Sequence, residues 1–315
     1  MELITNRAVP LTPKTAFAGP TLEFDFPALR IGVAEYEEGP TGCTVFSFPA
    51  DMATAIDARG GMVGKTGDYD WCQAICLAGG SLPGLEAAAG VSAALFEQNG
   101  YDLERVPQVL GAIIFDYGRR ENRIYPDLAL GQAALLAARP GVFLLGARGA
   151  GRSAGCGAVF DFARGESSGQ GGAFRQVGPT RIAVFSVVNA LGAVLNRQGE
   201  VVRGNRDPQT GARANPREEL ERRLLTGEPT SPPFGNTTLT VIVTNQKLNK
   251  DNLTQWARQV HSSLARVICP FHTMMDGDML YAVTMNEVEH PTLSVAGLGM
   301  LASELLWDAI LGIYQ

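Results

Sequence analysis

Histidine is nearly absent. The three present, His261, His272 and His290, show no H-E-x-x-H or comparable metal spacing, so no metal is expected and each reads as structural. Cysteine is also scarce: Cys43, Cys72, Cys76, Cys156 and Cys269 are odd in number and scattered. That argues against a disulfide framework and for free thiols in a reducing cytoplasm, with Cys72 and Cys76 at helical spacing as core residues. Only 18% of the chain is charged, and 26 basic against 32 acidic residues leave a net charge of −6. A nucleic-acid partner, which would want a basic face, is not expected. No stretch provides 18 uncharged apolar residues. The nearest, Leu293–Gln315, is interrupted by Glu304 and Asp308 and reads as a core helix rather than a membrane span. Met1–Arg7 lacks a basic region followed by an apolar run, so a cytoplasmic location is expected. Gly79-Gly-Ser-Leu-Pro-Gly84 precedes a helical pattern but has neither G-x-G-x-x-G spacing nor the Gly-Lys-Ser/Thr of a phosphate loop. No nucleotide or other cofactor is expected, and this stretch reads as a substrate-facing wall or a close-packing site.

A hydrophobic content of 45% over 315 residues is enough for one large core. Strand-like segments fall at Ala28–Glu35, Thr44–Phe48, Leu110–Phe115, Arg181–Asn189, Thr238–Thr244 and Met279–Thr284, with a short one at Gly192–Asn196. Helical spacing marks Gly84–Gln98, Pro126–Ala138 and Thr292–Leu311. Leu253, Trp256, Ala257, Val260 and Leu264 mark a further amphipathic helix, capped by Asn249 or Asp251. The Gly-rich stretches 59–70 and 146–157 read as loops. Strands and helices mix without a regular βαβ repeat. This predicts an α+β fold with helices on both sides of stacked, mainly antiparallel sheets.

The clearest compositional break is residues 203–233, which are polar, carry five prolines and include one charged helical run, Pro216–Leu225. The segment reads as a linker. It ends at Asn236-Thr237, where a run rich in β-branched residues begins. A Thr heading a buried strand after such a segment suits an N-terminal nucleophile released by cleavage of the Asn236–Thr237 bond. Its α-amine, titrating at about 7.7–8.0, would serve as base for its own hydroxyl. An ordinary loop-to-strand junction explains the same residues. Asp276-Gly-Asp278 reads either as two carboxylates that orient that amine or as a plain Asp-Gly turn; the spacing of a calcium loop is missing. Asn189 ends an apolar strand, either as an oxyanion donor or as a turn-former.

These stretches, with Gly169-Gln-Gly171, Tyr36–Gly42, Ile56-Asp-Ala-Arg-Gly-Gly61, Ala74–Gly80, Val260–Ser263, Pro270-Phe-His-Thr273 and Ala302–Asp308, occur in the order found in the DmpA-type aminopeptidase family of self-processing hydrolases. The chain resembles that family from about Glu23 to near its end. The resemblance implies a layered αββα sandwich, like that of N-terminal-nucleophile hydrolases and ornithine acetyltransferase. It also implies a single domain, 1–315, cleaved into 1–236 and 237–315. Thr237 would be the nucleophile, Asp276 and Asp278 its orienting carboxylates and Asn189 the oxyanion donor. A homotetramer of processed heterodimers is implied as well. The substrate class would be linear amides, notably the 6-aminohexanoate oligomers cleaved by the members it resembles most. Alternatives are aminopeptidase action on short or β-amino-acid peptides, acyl transfer of the ornithine-acetyltransferase kind, and an uncleaved binding protein. Two positions depart from those members: Phe115 replaces a Tyr and Ala158 replaces a Lys, both placed by the resemblance near the substrate.

Overall fold

The computed structural model describes residues 3–230, 235–289 and 292–315. His290 and the end of the presumed linker, 231–234, lie outside them. Eight longer strands build most of the ten-stranded main sheet: β1 (Arg30–Tyr36), β2 (Thr41–Gly60), β3 (Trp71–Ala78), β4 (Val109–Ile113), β5 (Gly169–Val177), β6 (Thr180–Asn189), β7 (Thr237–Gln246) and β8 (Gly277–Val288); the two-residue strands Lys65–Thr66 and Arg139–Pro140 complete it. Five helices accompany them: α1 (Glu86–Gln98), α2 (Leu128–Leu136), α3 (Pro216–Thr226), α4 (Lys250–Ser263) and α5 (Val295–Leu311). Hydrogen bonding runs β5-β6-β7-β8-β2-β3-β4, with β1 branching from β2. Only β7/β8 and β3/β4 are parallel among these pairs.

The sheet becomes two layers through β2. Its first half pairs with β1 and β3, its last third with β8, and the register slips between Ser47 and Met52. The 20-residue strand thus spans both layers, where the sequence suggested a short strand and then a glycine-rich loop. Strand alternation then sorts the side chains. Phe46, Ile75, Leu77 and Leu110 of one layer meet Phe185, Val241, Val243, Tyr281 and Val283 of the other. The intervening residues face outward under helices. Ile182, Val184, Ile242, Leu280 and Ala282 lie under α4 and α5, while Val45, Ala74, Cys76 and Ile113 lie under α1 and α2. Three apolar interfaces between four layers give the expected αββα sandwich. Helix α5 is apolar enough to cross a membrane, yet Leu298, Ala302, Leu305, Leu306, Ala309 and Ile310 bury one side of it in this core. Cys72 and Cys76 are buried as expected, but on a strand.

The α1–α2 contact is close because both helices lack a side chain where they cross. A Cβ on Gly131 would sit 2.0 Å from the Ala87 carbonyl oxygen, and one on Gly90 would sit 2.2 Å from that of Leu128. Gly131→Ala should therefore destabilise the protein by about 1–3 kcal/mol, against the usual helix preference for Ala. A urea midpoint equal to or above that of the parent would contradict this.

The segment 203–230 does not behave as a loose linker. Asn205 is buried, bonding Arg164 and the Ala214 carbonyl. Glu219 is also buried and is held down to about 2, first by Arg222 and also by Arg223 and Arg164. Arg223 donates to the Pro229 carbonyl and lies over the Phe160 ring. Compositional polarity here reflects paired charges docked on the body.

Candidate active site

Strand β7 explains why the Asn236–Thr237 junction is held so firmly. Seven of its ten residues are β-branched, all ten are buried, and it lies between β6 and β8. Thr237 shares the side of Leu239, Val241 and Val243, so its side chain sits at the end of the space between the two sheets. Across the ladder its partner is Asn189, the last residue of β6.

The peptide bond before Thr237 is intact and closely contacted. The Thr237 hydroxyl donates to the Asn236 carbonyl at 2.6 Å, and the Gly277 N–H donates to the same oxygen at 2.9 Å. The Asn236 N–H donates to the Met275 carbonyl at 3.0 Å. The bond is thus clamped on both sides by the 275–277 turn. Behind that turn Gly60, with φ +91°, lets β2 come so close that a Cβ there would lie 2.2 Å from the Asp276 carbonyl oxygen. On the other side, Gly235 lies on the Phe115 ring, leaving no room for a Cβ.

Both aspartates reach the junction, by different routes. Asp278 accepts from the Thr238 N–H at 2.7 Å with one oxygen and pairs with His272 Nδ1 at 3.0 Å with the other. Asp276 accepts from the Thr273 N–H at 2.9 Å and the Thr273 hydroxyl at 2.7 Å. Both are buried. Burial, then the neighbouring Asp278 charge, pushes Asp276 up to about 6, against the Thr273 hydrogen bonds. Neither carboxylate has a recorded bond to the Thr237 side chain.

Asn189 is adjacent as expected but is not a free donor. Its Oδ1 accepts from the Gly155 N–H at 3.1 Å and its Nδ2 donates to the Phe115 carbonyl at 3.0 Å. One amide hydrogen has no recorded partner; the rest of the group ties two loops to β6 beside Thr237. The Gly277 N–H, not foreseen from sequence, already donates to a carbonyl at this position. Ala158 is buried and borders Gly165.

The histidines were read as structural, yet His272 holds Asp278. Behind it His261 meets His272 edge-on at 4.7 Å between ring centres and bonds Asp57 at 2.8 Å. Burial pulls His261 below its usual range, so it is neutral. The signal was present in the Phe-His-Thr that directly precedes the aspartate turn. Among the described residues no group of three His, Cys, Asp or Glu side chains converges as a metal site.

The model of peptidase family S58 matches residues 24–311. The chain belongs to that family. Within it, the 6-aminohexanoate-oligomer endohydrolase of Kocuria sp. (strain KY2) is 47% identical, covering 97% of this chain and 89% of that relative. The enzyme of the same name from Agromyces sp. (strain KY5R) is 48% identical over the same shares. Among solved structures, the L-aminopeptidase D-Ala-esterase/amidase of Ochrobactrum anthropi superposes with a TM-score of 0.65 at 14% identity, covering 95% of this chain and 88% of that one. Its structure is described as a variant of the Ntn-hydrolase fold, which is the fold of this peptidase too.

Proposed function

We propose that the chain is a self-processing amidohydrolase that cleaves linear amides, with 6-aminohexanoate oligomers as its substrate class. The observation that carries this is the Thr237 hydroxyl lying 2.6 Å from the oxygen of its own preceding carbonyl, which Gly277 N–H also polarises. Attack of that hydroxyl on the Asn236 carbonyl carbon forms an ester and breaks the C–N bond, the hydroxyl proton passing to the freed amine. Water then splits the ester, leaving a carboxylate on Asn236 and a free amine and hydroxyl on Thr237.

In the processed enzyme the amine takes the hydroxyl proton as Thr237 attacks a substrate amide, and it returns that proton to the leaving amine. The acyl ester on Thr237 is hydrolysed in turn. Asp276 and Asp278 hold the new ammonium, and Gly277 N–H with the spare Asn189 hydrogen face the oxyanion. Thr237 is 1% exposed before cleavage, so the site opens only when the 235–236 end leaves the Phe115 ring. The 47–48% identity to the oligomer endohydrolases supports the substrate class.

Intact-mass spectrometry of the purified protein should show fragments of 1–236 and 237–315, and N-terminal sequencing of the smaller should read Thr-Thr-Leu-Thr. Linear 6-aminohexanoate oligomers should be cut at internal bonds. Release of single residues from the amine end alone would favour an aminopeptidase, and transfer of the acyl group to an added amine would favour an acyltransferase. We also assign a cytoplasmic location and a homotetramer of processed heterodimers. Light scattering at micromolar concentration that gives one heterodimer would remove the assembly from the proposal.

A further inference from the structure

The half-buried guanidinium of Arg119 has no acceptor among the described residues. It lies flat on Gly155: a Cβ there would be 1.9 Å from Cζ, 2.2 Å from Nη1 and 2.3 Å from Nε. Its Nη2 lies 2.7 Å from where a Gly165 Cβ would be, a spot that Ala158 also borders. Two missing side chains therefore make the cradle. The carboxylates nearby are committed elsewhere. Asp116 bonds Arg120, the Gly80 N–H and Ser153. Glu166 bonds Arg213 and the Gly204 N–H, and Asp161 caps Ala163. The adjacent Cys156 thiol is pushed up to about 11 by burial and is neutral. Burial pulls Arg119 down from its usual value, yet a guanidinium stays charged at any working pH. A half-buried guanidinium with no protein acceptor keeps its planar set of N–H donors free for an anion that enters from solvent.

The place of this cation limits which anion that is. The N–H of Gly155 bonds Asn189, and Asn189 is the ladder partner of Thr237. The loop carrying Arg119 begins at Phe115, on which Gly235 rests. An anion here would belong to a molecule whose amide lies at Thr237. An Arg fork fits a carboxylate with two parallel hydrogen bonds, and a linear ω-amino-acid oligomer ends in one.

We propose that Arg119 is a specificity-determining residue that binds the terminal carboxylate of a linear oligoamide substrate. This rests on the amidohydrolase reading above. The test compares processed wild type with Arg119→Gln on the linear 6-aminohexanoate trimer and on the same trimer with its carboxyl group capped as a primary amide. Wild type should prefer the free acid, and Arg119→Gln should lose about 10–100-fold in kcat/KM on it, so that the preference collapses. Self-cleavage at Thr237 should be unchanged.

A second measurement needs no turnover. Hexanoate, but not hexanamide, should raise the Tm of wild type, and neither should raise that of Arg119→Met. Equal losses on the free and capped trimers, or a wild-type Tm that hexanoate raises no more than hexanamide does, would overturn the proposal in favour of a structural or oxyanion role. If wild type cleaves neither trimer, the amidohydrolase reading fails, and the hexanoate-dependent shift in Tm still decides whether the carboxylate site exists.

Discussion

Thr237→Ala should purify as one uncleaved chain of 33.5 kDa with no amide turnover above background. In the proposed mechanism the hydroxyl has two jobs, breaking the Asn236–Thr237 bond and attacking substrate, and removing it ends both. The fold should be little affected, because the hydroxyl's recorded bond is to the very carbonyl it would attack. Thr237→Ser keeps the nucleophile and should still process, more slowly without the γ-methyl group to hold the hydroxyl. The informative competitor is Thr238, one residue along, whose buried hydroxyl has no partner. Strand alternation points it towards the α4–α5 side, away from the inter-sheet space. A small fragment beginning at Thr238 in the Thr237→Ala protein would mean that the cleavage site has been assigned one residue too early. Mass spectrometry and a turnover assay on the same preparation give both answers.

Much of this site was legible in the chain, and the reasons differ from residue to residue. The β-branched run after a compositional break marks Thr237 as the head of a strand, and only the family resemblance raises it to a candidate nucleophile. Asp276 and Asp278 were visible as a pair, but their separate partners were not. That Asp278 holds the Thr238 N–H follows from the parallel pairing of β7 with β8, strands far apart in sequence, whereas Asp276 holds Thr273 within its own turn. Asn189 was placed correctly beside Thr237, yet its side chain is drawn off by Gly155 and Phe115, from two loops whose approach no local pattern announces. Helices on both sides of stacked sheets were recognisable from the mix of strands and helices without a βαβ repeat, and the αββα order from the family resemblance, whereas the length of β2 was not. Its middle, Pro49-Ala-Asp51, reads as a break, and only pairing with different neighbours at each end keeps it one strand. The segment 203–230 misled because polarity marks a linker equally well whether charges are solvated or, as with Glu219 and Arg223, paired and buried.

The stacked charges of Asp276 and Asp278 predict opposite signs for stability and activity. In the uncleaved chain Asp276 titrates at about 6, above the ordinary aspartate value of 3.8, chiefly because it is buried and then because Asp278 is near. A carboxyl raised in the folded state binds its proton more tightly there than in the unfolded chain. Its stabilising contribution is therefore complete below about pH 3.8 and is lost as pH rises through about 6, flat beyond. The gap of roughly two pH units corresponds to about 3 kcal/mol. In a Thr237→Ala background, which stays uncleaved, adding Asp276→Asn should remove that penalty. Its stability relative to the parent should climb by about 3 kcal/mol between pH 4 and pH 7, since the amide oxygen can still accept from Thr273.

Asp278→Ala should do the reverse and destabilise by about 1–3 kcal/mol at pH 7, because it orphans the buried Thr238 N–H. In otherwise wild-type processed enzyme, both changes remove a group that orients the Thr237 amine, and turnover should fall by about 10²–10⁴-fold, the usual worth of a general base. Asp276→Asn would thus give a protein that is more stable at neutral pH and nearly inactive, a combination that a plain Asp-Gly turn does not produce. Denaturation curves from pH 4 to pH 8 and turnover per folded molecule decide it. A stability difference that stays constant with pH, or full activity in both variants, would return the pair to a purely structural role.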